Sequence, residues 1–219
     1  MSIIGITTCV DYSHYLAQGI VKWKNKLDKL IVLTSIRDVS TINLCRNLDI
    51  NVECHTTDIF YENGALFNKG AALNAEVGEI IASGYIGWIL LFDADIIPPD
   101  GFTQKLRHIR QGNIYGALRK INGTVCKEPE IAGFFQLFHS RDKNVTQLPH
   151  IPDQYYHAGN YDSEFQSRWP REKRIKLDIV CEHLGDTENW CGINNPTAMA
   201  ALREQRRKGQ KWQEETVTK

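Results

Sequence analysis

The feature that most limits how this chain can fold is Trp88-Ile89-Leu90-Leu91-Phe92, an unbroken apolar run that leads straight into Asp93-Ala94-Asp95. It is too short for a core helix, and a continuous apolar run suits a strand covered on both faces. Apolar runs precede it at Ile3 to Thr8 and Leu30-Ile31-Val32-Leu33, and Ile50 to Cys54 reads as a third strand. Between them lie segments that read as helices, Tyr12 to Lys26 and Val39 to Leu48. A further helix opens at Lys69, with Leu73, Val77, Ile80 and Ile81 spaced along one face. Gly84 stands where a glycine closes such a helix. This alternation predicts an α/β fold with a mostly parallel, Rossmann-like central sheet flanked by helices.

The second half is less regular. A helix is expected from about Asp100 to Arg110 after Pro98-Pro99, with short strands at Ile114 to Leu118, Phe134 to Phe138 and Leu177 to Cys181. The chain shows no internal repeat, low-complexity tract or linker, so a single domain over residues 1–219 is expected. The 26 Lys and Arg balance the 26 Asp and Glu, which argues against binding nucleic acid or membrane by bulk charge. No apolar run approaches the ~20 residues of a spanning helix. The opening Met1-Ser2-Ile3-Ile4 reads as strand rather than leader, so no membrane insertion and a cytoplasmic location are expected. The scattered cysteines contain no C-x-x-C pair and are expected to be reduced.

In open parallel sheets, ligands bind beyond the carboxyl ends of the strands. Asp93 and Asp95, leaving the strand one residue apart, are therefore candidates to share a hard divalent cation, Mn²⁺ or Mg²⁺, with substrate phosphates. A bare D-x-D elsewhere in a chain is usually a solvated turn; here a buried strand feeds it.

At this point the sequence resembles the DxD-type nucleotide-sugar glycosyltransferases of GT-A fold, family-2-like or galactosyltransferase-like. The resemblance rests on Asp93-Ala94-Asp95, on Phe67-Asn68-Lys69-Gly70-Ala71-Ala72-Leu73-Asn74, on the opening strand with Thr7 and Thr8, and on Thr34-Ser35-Ile36-Arg37-Asp38. It implies that about residues 1–100 bind a nucleotide-diphosphate sugar, a UDP-sugar first of all. About 101–197 would then hold the acceptor and catalytic groups, and 198–219 form a basic tail. It also implies Asp93 at the ribose or metal, Asp95 on the metal, and Asn68 and Lys69 near ribose and phosphates at a helix start that favours anions. Thr7 and Thr8 would line the nucleotide pocket or simply end a strand, and Asp38 would either bond base or ribose or form a turn.

Sugar transfer by direct displacement needs a carboxylate to take the acceptor proton. Gly159-Asn160-Tyr161-Asp162-Ser163-Glu164 resembles the acidic segment of inverting GT-A enzymes, with Asp162 at the base position and Glu164 as the alternative. The family often has an acid directly before the base, where this chain has Tyr161. Asp162 also suits a helix N-cap. His183, just past a short strand, would complete the cation shell; zinc held by Cys181, His183 and Cys191 is the lesser alternative. Trp190 is a stacking candidate for sugar or base. The acceptor is open between a glycan, a small molecule and DNA, the last because of Arg171, Lys173, Arg174, Lys176 and the basic tail. A D-x-D phosphatase would place the motif after the first strand. A sugar-phosphate nucleotidylyltransferase would show glycine and arginine after strand one, and Thr7-Thr8-Cys9-Val10-Asp11 has neither.

Overall fold

The computed structural model describes residues 1–48, 51–126, 130–185, and residues 197, 200 and 204. Six helices are named here: α1 (Ser13–Trp23), α2 (Val39–Arg46), α3 (Lys69–Ala82), α4 (Phe102–Lys105), α5 (Lys143–Thr146) and α6 (Tyr161–Ser167). The strands among the described residues are β1 (Ile3–Thr8), β2 (Lys29–Thr34), β3 (Val52–Thr56), β4 (Trp88–Asp93), β5 (Ile96–Ile97), β6 (Ile114–Ile121), β7 (Thr124–Val125), β8 (Phe135–His139) and β9 (Arg174–His183). They form one sheet in the order β3-β2-β1-β4-β8-β6-β9-β5, with β7 hairpinned onto β6. Pairing is parallel from β3 to β4, and the sheet is mixed beyond it. This is a single α/β unit with helices on both faces.

Both faces are covered, which is why the first strands are continuously apolar. Along β4, Trp88, Leu90 and Phe92 pack with Leu16, Ile20 and Trp23 of α1, whereas Ile89 and Leu91 pack with Leu73, Val77 and Ile80 of α3. Gly84, at φ 79°, ends α3 by donating its N–H to the Ile81 carbonyl, the left-handed closure that glycine allows without strain.

Two expectations are corrected. The helix placed at Asp100–Arg110 is a single turn, Phe102–Lys105. Beyond it, the Tyr115 hydroxyl sits at the Arg110 N–H, and Asn113 bonds both that hydroxyl and the Arg110 carbonyl, so the chain wraps around Tyr115 instead of continuing the helix. The strand placed at Leu177–Cys181 runs from Arg174 to His183 because β6 offers it a long parallel partner. Among the described residues, Cys9, Cys45, Cys54, Cys126 and Cys181 are free thiols. Among the described residues no helix is long and apolar enough to cross a membrane.

Candidate active site

The acidic turn is built by long-range pairing. After Asp93 the chain reverses into β5, which pairs antiparallel with the end of β9, Ile96 opposite His183 and Ile97 opposite Glu182. Helix α1 locks this corner from behind: Trp23 Nε1 donates to the Ile96 carbonyl at 3.1 Å. The Leu184 N–H donates to the Asp95 carbonyl at 2.9 Å. Asp93, Asp95 and His183 are thereby brought together, each offering a ligand atom within 4.8 Å of the others.

Asp95 and His183 are buried, and Asp93 is partly exposed. His183 Nε2 lies 3.6 Å from Asp95 Oδ1, too far for a good hydrogen bond. Asp95 Oδ1 and His183 Nδ1 are buried with no hydrogen-bond partner. Burial and the neighbouring Asp93 push the Asp95 carboxyl up to about 6, against the opposing pull of His183 and Lys69. Gly185 closes the corner, since a Cβ there would stand 2.1 Å from Asp95 Oδ2. Unsatisfied buried polar atoms are costly and rare. Two carboxylates and an imidazole converging with such atoms fit a divalent cation with oxygen and nitrogen ligands. Cys181, by contrast, is packed in the core with its thiol pushed up to about 12 by burial, which suits packing rather than zinc ligation.

The start of α3 leans on the same corner. Asn68 caps the helix, its Oδ1 accepting from the Ala71 N–H at 2.9 Å while its Nδ2 donates to the Asp153 carbonyl at 2.7 Å. Lys69 is nearly buried, and its ammonium bonds Asp93 Oδ1 and lies 5.7 Å from the centre of the Tyr161 ring. Burial opposes the Lys69 charge, but Asp93 more than offsets it and the lysine is held well above its ordinary range.

Helix α6 supplies the base candidates. It begins at Tyr161 with Asn160 as N-cap residue, so Asp162 lies inside the first turn and is not the cap. The Asp162 carboxylate packs on Gly133, where a Cβ would meet its Oδ2 at 2.4 Å. Burial raises its pKa, Asp93 adds to this, and the Ser163 N–H and Lys69 oppose it. Gln136 Nε2 donates to the Asp162 carbonyl at 3.0 Å. Glu164 is engaged elsewhere, accepting from Gln154 Nε2 at 2.8 Å and from the Tyr155 hydroxyl.

Thr7 and Thr8 end β1 beside β4, Thr8 opposite Asp93; Thr7 is fully buried and its hydroxyl has no partner. Asp38 caps α2: its Oδ1 accepts from the Thr41 N–H, and its Oδ2 from the Asp11 N–H and the Thr34 and Thr41 hydroxyls. The turn-forming role is the one it displays. Arg174 donates to the Trp169 and Ser167 carbonyls, which removes it from the basic cluster as a free phosphate contact. Trp190 and Cys191 lie outside the described residues, as does the basic tail apart from residues 200 and 204. Sequence reasoning gave no role to Gly133 and Gly185, whose value is the space they leave, and named Tyr161 only as a departure from the family pattern.

No protein-family model matches the chain, and no curated protein matches its sequence. Solved structures do match. Glucosyl-3-phosphoglycerate synthase from Mycobacterium tuberculosis, in complex with Mn²⁺, UDP and glucosyl-3-phosphoglycerate, is similar with a TM-score of 0.56 and 13% identity over 95% of this chain and 79% of that one. A protein assigned as a glucose-1-phosphate thymidylyltransferase from Bacillus anthracis gives 0.53 and 11% over 92% and 95%. A 4-diphosphocytidyl-2C-methyl-D-erythritol synthase gives 0.50 and 12% over 93% and 98%. The fold is GT-A-type and Rossmann-like. At these identities the likeness is one of fold.

Proposed function

We propose that the chain is a metal-dependent glycosyltransferase that moves a sugar from a nucleotide-diphosphate sugar, a UDP-sugar first of all, to an acceptor hydroxyl with inversion. One observation carries this reading: Asp93, Asp95 and His183 converge, with buried polar atoms left unpaired, at the carboxyl end of the central strand of a GT-A-type sheet. The similar structure that holds Mn²⁺ and UDP supports it. Asp93, Asp95 and His183 would hold Mn²⁺ or Mg²⁺, and such a cation stabilises the charge that gathers on a departing diphosphate. Lys69 adds positive charge at the same place. Asp162 takes the proton from the acceptor hydroxyl, a task for which a carboxylate raised by burial is better matched to neutral pH than an ordinary one. Glu164 stabilises the loop before α6 through Gln154 and Tyr155. A saccharide or small-molecule hydroxyl is the acceptor class; transfer to DNA would instead bring steeply salt-dependent duplex binding.

The deciding experiment measures binding and hydrolysis of a panel of nucleotide sugars with and without Mn²⁺, for the wild type and Asp95→Ala. Metal-dependent binding that Asp95→Ala abolishes is the expected result. Binding indifferent to metal and to Asp95 overturns the proposal. Asp162→Asn is expected to keep donor binding and lose transfer by about 10³-fold; loss with Glu164→Gln instead would move the base to Glu164. A sugar-phosphate nucleotidylyltransferase is the second reading, favoured by the similar thymidylyltransferase structure. Pyrophosphate release from a nucleoside triphosphate and a sugar 1-phosphate would establish it.

A further inference from the structure

Tyr161 opens α6 directly before Asp162, at the place where the sequence resemblance implies a second acid. Its side chain is 2% exposed, and its hydroxyl meets the Lys69 ammonium, itself only a donor, so the phenol O–H has no acceptor within the chain. The environment is specific. Lys69 Nζ lies 5.7 Å from the ring centre and bonds Asp93 Oδ1, so the phenol shares a corner with a cation and with one half of the acidic pair. Gly70 makes that position possible: a Cβ there would stand 2.2 Å from the Pro152 carbonyl oxygen and 3.1 Å from Tyr161 Cβ, so a larger residue would push α6 away from the first turn of α3.

A buried O–H without an acceptor gives up its bond to water and gets nothing back. Phenylalanine would fill the same space without that cost. Burial keeps the phenol protonated, so it offers an O–H donor. An acceptor that suits an O–H donor and an ammonium together is an anionic oxygen, which makes the hydrogen bond charge-assisted and short. A neutral sugar hydroxyl gains less from that pairing than a phosphate oxygen does.

We propose that the Tyr161 hydroxyl, beside Lys69, donates a hydrogen bond to a diphosphate oxygen of the nucleotide donor. The inference rests on the donor reading above and adds a binding residue to it. Tyr161 is then a contact for the departing group, while its neighbour Asp162 faces the acceptor, and adjacent residues of one helical turn serve the two substrates.

The test compares wild type with Tyr161→Phe by calorimetric titration in saturating Mn²⁺. The titrants are whichever of UDP, GDP, CDP, ADP and dTDP the wild type binds most tightly, its nucleoside, and the corresponding nucleotide sugar. The expected result is about 10-fold or more weaker binding of the diphosphate and of the nucleotide sugar, with nucleoside binding unchanged. The ligand-free thermal midpoint of Tyr161→Phe should equal or exceed that of the wild type, because the lost O–H had no acceptor to abandon and Lys69 keeps its bond to Asp93. Equal diphosphate binding by the two proteins overturns the inference. So does a loss confined to the nucleotide sugar, which would assign the hydroxyl to the sugar. A lower ligand-free midpoint also overturns it, because the hydroxyl would then belong to the fold. A wild type that binds no diphosphate fails the donor reading itself, an outcome distinct from equal binding by both.

Discussion

Two acidic corners, at the ends of the strands that flank β1, look alike in sequence and differ in what they leave unfinished. Asp38 after β2 and Asp95 after β4 are both buried, at 4% and 5% exposure. Asp38 accepts from the Thr41 and Asp11 N–H groups and the Thr34 and Thr41 hydroxyls, so its lone pairs are used within the chain. Asp95 faces Asp93 and an imidazole 3.6 Å away, and its Oδ1 has no donor. A buried carboxylate without donors is expensive to fold around. The first is satisfied within the chain, and the second is left with an unpaired oxygen.

Exchanging the two substitutions should break or bear out that contrast, with the largest effects of all. Asp95→Asn is expected to lower transfer by about 10³-fold, the several kcal/mol a metal contact supplies. Its ligand-free thermal midpoint should be unchanged or higher, since a buried charge beside Asp93 is removed. Asp38→Ala should do the reverse. Loss of a cap and of partners for buried donors is expected to cost about 3 kcal/mol, roughly 6–12 °C in a chain of this size. Calorimetric melting and a transfer assay on both variants decide it. A stability loss at Asp95 matching that at Asp38 would end the distinction.

Next in size is Gly185→Ala. A Cβ 2.1 Å from Asp95 Oδ2 must displace the carboxylate, so Mn²⁺ affinity should fall about 10–100-fold, as when support around a metal ligand is disturbed. Titrating Mn²⁺ by electron paramagnetic resonance measures this directly. Unchanged affinity would mean that Asp95 does not hold the ion.

Asp162, in the first turn of α6, has its charge opposed by burial and supported by the Ser163 N–H and by Lys69. As a base it must be ionised, so activity is present above its pKa and lost as pH falls through it. Because burial raises that pKa, the acid limb of kcat/KM at saturating Mn²⁺ should lie above the ordinary carboxylate range and fall about tenfold per pH unit. A limb at the ordinary aspartate value would argue for a solvated base elsewhere.

How much of this was legible follows from the range over which each feature is set. The β4 run, the period of α3 and the D-x-D turn are local patterns, and the sequence read them where they stand. His183 was found because the sequence set it just past a short strand, where the resemblance implies a metal ligand. It is the last residue of β9, and its approach to Asp95 depends on β5, a two-residue strand whose partner lies far along the chain. Asp38 and Asp95 carry the same side chain at the same kind of place, and only tertiary donors tell them apart. For Gly133 and Gly185 the signal is steric, an absent methyl group facing a carboxylate. The departure at Tyr161 was visible, whereas the lack of an acceptor for its hydroxyl depends on what α3 and α6 bring around it.

The smallest effect concerns a third kind of acidic corner, one completed by a partner that titrates. His55 Nδ1 lies 2.9 Å from Glu76 Oε2, tying β3 to α3, and its Nε2 lies 3.3 Å from Glu53, itself paired with Lys29 at 2.8 Å. Burial disfavours the charged imidazole, but Glu76 and Glu53 outweigh it and raise the His55 pKa above its ordinary value. A raised histidine contributes stability that is complete below its unfolded pKa and lost as pH rises through the folded one. The imidazole is 38% exposed, so solvent screening keeps the contribution under about 1 kcal/mol. The stability difference between wild type and His55→Gln, from urea unfolding, should therefore be larger at pH 5.5 than at pH 8.5. A difference that grows with pH would mean that His55 serves as a neutral hydrogen-bond donor to Glu76. The corner would then be finished in the manner of Asp38, by hydrogen bonds alone rather than by charge.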